Sequence, residues 1–498
     1  MQGALVGEEV TVAIKKRMPK YIDARVHQII KPSALRQTPP CPVFSRCGGC
    51  SVQYMSAEEQ VAFKQDAVLS QLSRWSQITP DTLLPVLTDT EYGYRQRVRL
   101  AVDYTKTGEL LLGFREVDSH AIVNIDSCMV LNPNLQKLIL PLRQWLSHIK
   151  AHVVSHVELV NTTHSTAPAS GGDTETVDNG IVGIVVRHTR LLAGADRLQL
   201  QQYMSTFKKA GLIVNLWFQS QKKGVLEDSN SIEVDPRLEY VLPLASPLLF
   251  RFHPQDFIQS NPFINQQMVE QAIALLAPQS HEIVMDLYCG IGNFSLPLAL
   301  HAKHVLAVEG VEAMTARAAD NAHRNGVDNV TFITQDLSQP KLLRASVSAY
   351  FQKQDAFQSA AQSITQSITS TAHIDSSTKK PAKQGVIDAL LLDPPRAGAK
   401  TICENIAELL PQRIVYVSCD SSTFARDAGL LVDNGYRLST LGIMDMFPQT
   451  SHVEIMASFI VDSATADPSL KRRKASSRSS QSVTKQSITK PKRVLKLG

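Results

Sequence analysis

No apolar run in this sequence approaches the roughly 20 residues needed to cross a membrane. No secretory leader is legible either. Cysteine is scarce, seven in 498 residues, and the count is odd. These absences argue against a disulfide framework and for a soluble, cytoplasmic protein with no membrane partner. Acid is missing from one place in particular. Pro468–Gly498 holds ten Lys and Arg and no Asp or Glu, so a net charge of +5 leaves −5 on the other 467 residues. The basic character therefore belongs to a tail without apolar periodicity, which reads as disordered and either as a holder of RNA phosphates or as a solubilising extension.

Three of the few cysteines crowd together. Cys41, Cys47 and Cys50 stand in CPVFSRCGGC, spaced C-x5-C-x2-C. Converging thiolates usually share a soft metal, and this set lacks one ligand of four. Cys128, in NIDSCMVLNP, is the candidate fourth, because Cys289, Cys403 and Cys419 lie far downstream. The residues alone leave structural zinc and an iron–sulfur cluster both open.

The length allows two or three domains. EEVTVAI and DARVHQII read as strands, and AEEQVAFKQDAVLSQLSRW reads as a helix. In YGYRQRVRLAVDY alternation puts Arg95, Arg97 and Arg99 on one face, a candidate RNA-facing stripe. From about Ser260 short apolar strands (EIVMDL, HVLAVE, VTFIT, DALLLD, RIVYVS) alternate with helical segments. That pattern predicts an α/β, doubly wound, mainly parallel sheet. Residues 163–180 read as a flexible loop, and a Gln/Ser/Thr-rich stretch at about 345–385 as a disordered insertion.

MDLYCGIGNF is a strand ending at Asp286 followed by a glycine turn, Gly290 and Gly292, that lets a ligand approach the backbone. Glu309 ends the next strand nineteen residues after Gly290, where an acid takes ribose hydroxyls. Asp336 ends the third, near an adenine position. The combination suits S-adenosylmethionine. Asp393 ends the fourth strand in LLLDPPRAG and Cys419 the fifth in IVYVSCD, while MDMFPQTSHVE places His452 and Glu454 downstream. A thiolate and a carboxylate are what C5 methylation of uracil requires. Addition at C6 makes C5 nucleophilic, and a second group must then remove the C5 proton.

With these residues the chain resembles the RNA uracil-C5 methyltransferases, most closely the type that modifies 23S ribosomal RNA. The resemblance runs from about Gly7 to Ile460, outside the insertions and tail. It implies a Rossmann-like S-adenosylmethionine-dependent domain and a [4Fe-4S] cluster on Cys41, Cys47, Cys50 and Cys128. It implies Cys419 as nucleophile, Glu454 as base and Asp393 as the active-site aspartate. Gln259, Tyr288, Asn293, Glu309, Asp336 and Asp393 become donor contacts, and Phe257 a wall of the uracil pocket. The implied organisation is 1–40, a partial TRAM/OB-like segment; 41–258, a cluster-bearing, RNA-binding α+β region; 259–462, the catalytic domain; and 463–498, the basic tail. A monomer acting on 23S ribosomal RNA is expected.

Two departures from that family matter. Only the last strands of the amino-terminal barrel are recognisable. The nucleophile segment reads SCDSSTFARD where Asn-Pro is common, and Asp420 is expected to raise the Cys419 pKa. The same chemistry on another 23S uracil or on the T-loop of transfer RNA is the nearest alternative. A non-catalytic RNA-binding assembly factor is the alternative of another class. No Pro-Cys pair lies at the strand edge where a cytosine enzyme needs it, no Asn-Pro-Pro-aromatic supports an amino-group enzyme, and no C-x3-C-x2-C a radical enzyme.

Overall fold

A computed structural model describes residues 3–462 except 20–21, 150–151, 164–179, 223 and most of 340–386. The expected loop at 163–180 (apart from its two end residues), the bulk of the expected insertion and the tail at 463–498 lie outside the described residues. Among those described, no helix is long and apolar enough to cross a membrane.

Strands β1 (Glu9–Arg17) and β2 (Ile22–Lys31) form an antiparallel two-stranded sheet of their own. The cysteine segment leads into helix α1 (Ala57–Trp75), capped by the Ser56 hydroxyl, and into the two-residue strand β3 (Thr82–Leu83). A middle sheet follows, from β4 (Arg97–Tyr104), β5 (Leu110–Arg115), β6 (Ile122–Asn124), β7 (Val154–Thr163), β8 (Gly180–His188), β9 (Leu212–Ser220), β10 (Leu226–Glu227) and β11 (Glu233–Val234). Its order is β11-β10-β9-β8-β7-β4-β5-β6. Helices α2 (Pro133–His148) and α3 (Gly194–Ser205) close one core with it, where Leu138, Leu142 and Trp145 meet Leu100, Leu112 and Val157.

The expected basic stripe on β4 has a different fate. Arg97 and Arg99 do share a face, but both reach buried Glu158 of β7, at 3.6 and 3.5 Å, as does Arg187 of β8 at 3.0 Å. Arg97 also donates to the Pro254 carbonyl at 2.8 Å. The alternation was legible; the acid from another strand was not.

The hairpin β12 (Leu238–Leu242) and β13 (Leu248–Phe252) precedes helix α4 (Pro262–Leu276). Asn261 caps α4 and Pro262 opens it, which explains SNP in the sequence. Then come β14 (Ile283–Leu287), α5 (Ser295–Ala299), β15 (His304–Glu309), α6 (Glu312–Arg324), β16 (Val330–Thr334), β17 (Ala389–Leu392), β18 (Arg413–Ser418), β19 (Tyr436–Met444) and β20 (Glu454–Val461). The sheet order is β16-β15-β14-β17-β18-β20-β19-β3. The five strands from β16 to β18 are parallel, and β20 is antiparallel to both neighbours.

Each parallel strand feeds two cores. Leu390, Leu392, Ile414 and Tyr416 face one side with Val68 and Leu72 of α1; Leu391, Val415 and Val417 face the other with Met268 and Val269 of α4. That is the period of two expected of a sheet covered on both faces. The expected α/β doubly wound class is the observed one.

Packing draws other boundaries than 258/259. Helix α1 and β3 lie on the catalytic sheet, and β12–β13 buries Leu238, Leu242, Phe250 and Phe252 in its second core. A few residues inside the expected insertion are described. Val347, 1 % exposed, joins the first core with Tyr350 and Phe351 against it, at helical spacing.

Candidate active site

The glycine turn after β14 is built from left-handed backbone. Tyr288, Gly290 and Gly292 have φ of 66°, 56° and 95°. A Cβ at Gly292 would stand 2.7 Å from Leu296 Cδ1, so the turn needs glycine there for space as well as for φ. Tyr288 in that conformation is the kind of strained residue that surrounding structure must hold in place. The Glu309 carboxylate accepts from the Gly290 N–H at 3.1 Å and the Val311 N–H at 3.0 Å, which fixes it under the turn. Asp286, fully buried, accepts from Ser295 Oγ at 2.5 Å and leaves Oδ1 without a partner. Burial pushes its carboxyl up to about 7.

A cavity beside this turn is lined by Phe257, Gln259, Tyr288, Asn293 and Asp393 among others. Five candidate site residues, called from separate segments, thus converge. The Asn293 amide is oriented by a reciprocal pair with Asn265 of α4, at 2.9 and 3.1 Å, and accepts from Tyr240 Oη at 3.0 Å. Phe257 is 69 % exposed at the cavity. Asp336 is not brought there. It lies two residues beyond β16 and is exposed; hydrogen bonds from the Ser338 side chain first, then from the Ser338 N–H and Gln339 Nε2, hold it below the usual carboxylate range.

Cys419 and Glu454 meet across strands. Ser418 and Ile455 are the last pair of the antiparallel β18–β20 ladder, with Cys419 one residue past it and Glu454 one residue before it, so both stand at that end and the Glu454 charge acts on the thiol. Asp393 follows β17, the strand next to β18. Burial first, then Glu454 and Asp393, pushes the Cys419 thiol up to about 11, while Arg396 draws it down. Burial and then Asp393 push Glu454 up to about 8, again opposed by Arg396. Burial pushes Asp393 up to about 7.

The expected effect of Asp420 on the thiol is not what the geometry gives. Its carboxylate caps the helix Ser421–Asp433, accepting from Ser422 N–H at 3.0 Å and Thr423 N–H at 2.9 Å. The charges acting on Cys419 are Glu454, Asp393 and Arg396. Arg396, the exposed cation of DPPRAG, was passed over in the sequence. Its signal was a charge directly after two prolines at a strand end.

The loop between β19 and β20 is strapped from outside the catalytic segment. Gln449, fully buried with φ 69°, accepts at its carbonyl from the Ser51 and Val52 N–H groups at 2.9 and 3.2 Å. Gln60 of α1 exchanges hydrogen bonds with Gln449, at 2.8 and 3.1 Å, and Lys64 reaches Asp445 at 2.5 Å and the Phe447 carbonyl at 3.2 Å. The cysteine segment is therefore fastened to the loop that carries Glu454.

Cys41, Cys47, Cys50 and Cys128 are free thiols lining one cavity of about 200 Å³. Among the described residues no group of three or more His, Cys, Asp or Glu forms a ready metal-ion site. The two facts agree if the sulfurs surround a space rather than close on a point. Gly48 serves this turn: its N–H donates to the Arg115 carbonyl at 2.9 Å, and a Cβ there would stand 2.9 Å from that oxygen.

One consequence concerns pH. A carboxyl raised from 4.5 to about 8 favours the neutral form in the fold, so stability falls as pH rises from the ordinary carboxylate range through 8. Glu454→Gln removes that penalty. Its melting temperature is expected to match wild type near pH 5 and exceed it by several degrees at pH 9. The same difference at both values would contradict the assignment.

Comparison with known proteins gives three findings. The family model for tRNA (uracil-5-)-methyltransferase matches residues 175–459. Two curated relatives carry the name 23S rRNA (uracil(1939)-C(5))-methyltransferase RlmD. That of Pseudomonas putida is 37% identical over 92% of this chain and 88% of its own. That of Pseudomonas syringae pv. tomato is 39% identical over the same shares. Among solved structures, Pyrococcus abyssi tRNA (uracil-54, C5)-methyltransferase in complex with S-adenosyl-L-homocysteine superimposes with a TM-score of 0.59. It is 20% identical over 92% of this chain and 94% of that one, a likeness of fold.

Proposed function

The chain belongs to the tRNA (uracil-5-)-methyltransferase family, and on that premise we propose that it methylates C5 of one uracil in 23S ribosomal RNA, as a single chain in the cytoplasm. The uracil that its curated relatives are named for is 1939. The observation that carries the reading is that Cys419 and Glu454 stand at one end of the β18–β20 ladder, both within reach of the charge of Asp393, which lines the glycine-turn cavity.

In this reading the Cys419 thiol first gives its proton to solvent, the thiolate Sγ bonds to C6 of the uracil, and the C5=C6 electron pair moves toward O4. C5 then takes the methyl group as the donor's S–CH₃ bond breaks. Glu454 accepts the C5 proton, and the Sγ–C6 bond breaks to free the thiolate. A carboxyl held near 8 suits a base that works near neutral pH. Arg396 adds positive charge beside the thiol, and Asp393 faces the uracil edge. The open glycine turn and its cavity fit S-adenosylmethionine, which Gln259, Tyr288 and Asn293 would hold from the cavity wall and Glu309 from under the turn, while Asp336 lies outside that lining. S-Adenosylmethionine supplies the methyl group. Mapping 5-methyluridine in ribosomal and transfer RNA from a deletion strain and its complemented partner tests the assignment. Loss at one 23S uracil supports it; loss only in transfer RNA overturns it.

Cys41, Cys47, Cys50 and Cys128 would hold a [4Fe-4S] cluster. The four-thiol donor set lining one cavity fits such a group. When bound, the cluster supplies a cross-link between the 41–50 turn and the stretch before α2. Protein purified without oxygen is expected to be brown, with about four irons per chain. Stoichiometric zinc without iron would contradict the cluster.

A further inference from the structure

A second cavity, of about 710 Å³, lies between the β1–β2 hairpin and the cysteine turn, away from the glycine turn. Its volume falls in the usual range for small-molecule sites, roughly 300–1,000 Å³, and is too small for a duplex. Four aromatic rings line it, of which Tyr54 is buried. Phe63 of α1 is 43 % exposed, and Phe44 and Phe114 are half-buried. Most charges at its edge are neutralised in place. Arg36 is bound by Glu8 and lies over the Tyr54 ring at 4.5 Å, Glu116 is paired with Arg46, and Asp118 with Lys15. Arg25 and Arg115 differ. Each donates to a backbone carbonyl, of Ser45 and His120, and among the described residues neither has a carboxylate ion-pair partner.

The cavity is continuous with the active-site loop. Ser451 lines it, is held there by its N–H on Ser51 Oγ at 2.8 Å, and stands three residues before Glu454. Three residues span at most about 10 Å, the length of about three stacked nucleotides at 3.4 Å each. A target uracil flipped toward Cys419 leaves its neighbours partly unstacked. Open aromatic faces beside uncompensated arginines are what an unpaired nucleotide takes.

We propose that this cavity binds one unpaired nucleotide of the RNA substrate, within a few positions of the target uracil, with its base against Phe63 and Phe114 and its phosphate on Arg25 and Arg115. The inference rests on the reading above that the substrate is RNA. It makes the cavity a second recognition point: the uracil alone does not select the site.

The test uses the full chain and a synthetic 23S fragment centred on the target uracil. Each purine within four positions of the target is replaced in turn by 2-aminopurine. Phe63→Ala, on an exposed helix face where alanine is well tolerated, is expected to raise the KM for RNA roughly tenfold, with the loss in KM rather than kcat. Phe63→Trp should restore the KM. One 2-aminopurine position should be quenched by wild type and not by Phe63→Ala. A fragment trimmed short of that position should bind both proteins equally. Arg115→Ala should weaken binding and flatten its salt dependence. The proposal is overturned if wild type methylates the fragment while Phe63→Ala keeps its KM and the same 2-aminopurine profile. If wild type neither binds nor methylates the fragment, the substrate reading itself fails and this proposal with it.

Discussion

Cys419→Ala is expected to lower methyl transfer by on the order of 10⁴-fold or more, while S-adenosylmethionine still binds. The thiol stands at the Glu454 end of the β18–β20 ladder, one residue past β18, and does not line the glycine-turn cavity, so its loss spares the donor site. Glu454→Gln is expected to behave differently. With the nucleophile intact, addition and methyl transfer proceed, and the C5 proton has no acceptor. The enzyme then stays bonded to C6, and a denaturing gel should show a protein–RNA adduct that forms only when S-adenosylmethionine is present. Free turnover by either variant at the wild-type rate would contradict the roles.

The second large effect is on stability. Lys64 is fully buried, and burial lowers its pKa while Asp445 holds it up. Lys64→Met leaves Asp445 buried without its cation, which typically costs about 3–5 kcal/mol. Replacing both partners by apolar residues, as in Lys64→Met with Asp445→Leu, should recover most of that loss, because the desolvation of both charges disappears. Urea unfolding of the three proteins at equal iron content measures it. A single variant within about 1 kcal/mol of wild type would contradict a buried pair.

The catalytic half was the most legible part of the sequence. Its parallel strands are buried on both faces, so each is a short apolar run, and the chemistry sits at their carboxyl ends, where Asp393 and Cys419 each follow the last strand residue by one. The convergence of Cys128 on Cys41, Cys47 and Cys50 was legible because thiols are rare here. What the sequence hid depends on distant partners. Strand β3 is two residues long and has meaning only against β19. The arginines of β4 alternate as read, but Glu158 from β7 takes their charge. Asp420 looked like a neighbour of the thiol and is a helix cap. The strap on the Glu454 loop did leave a sign. Gln60, Lys64, Val68 and Leu72 recur at every fourth residue of α1 and are all buried, so two polar residues continue an apolar stripe. Such a pattern calls for a buried partner, which Gln449 and Asp445 provide.

The central claim is that this chain replaces hydrogen by methyl at C5 of uracil through a covalent Cys419 intermediate. Tritium release measures that directly, using a 23S fragment labelled with tritium at C5 of its uracils and S-adenosylmethionine carrying a ¹⁴C methyl group. One tritium is expected in water for each methyl transferred, with both signals lost in Cys419→Ala. Methyl transfer with the tritium retained, or transfer that survives loss of Cys419, would contradict it.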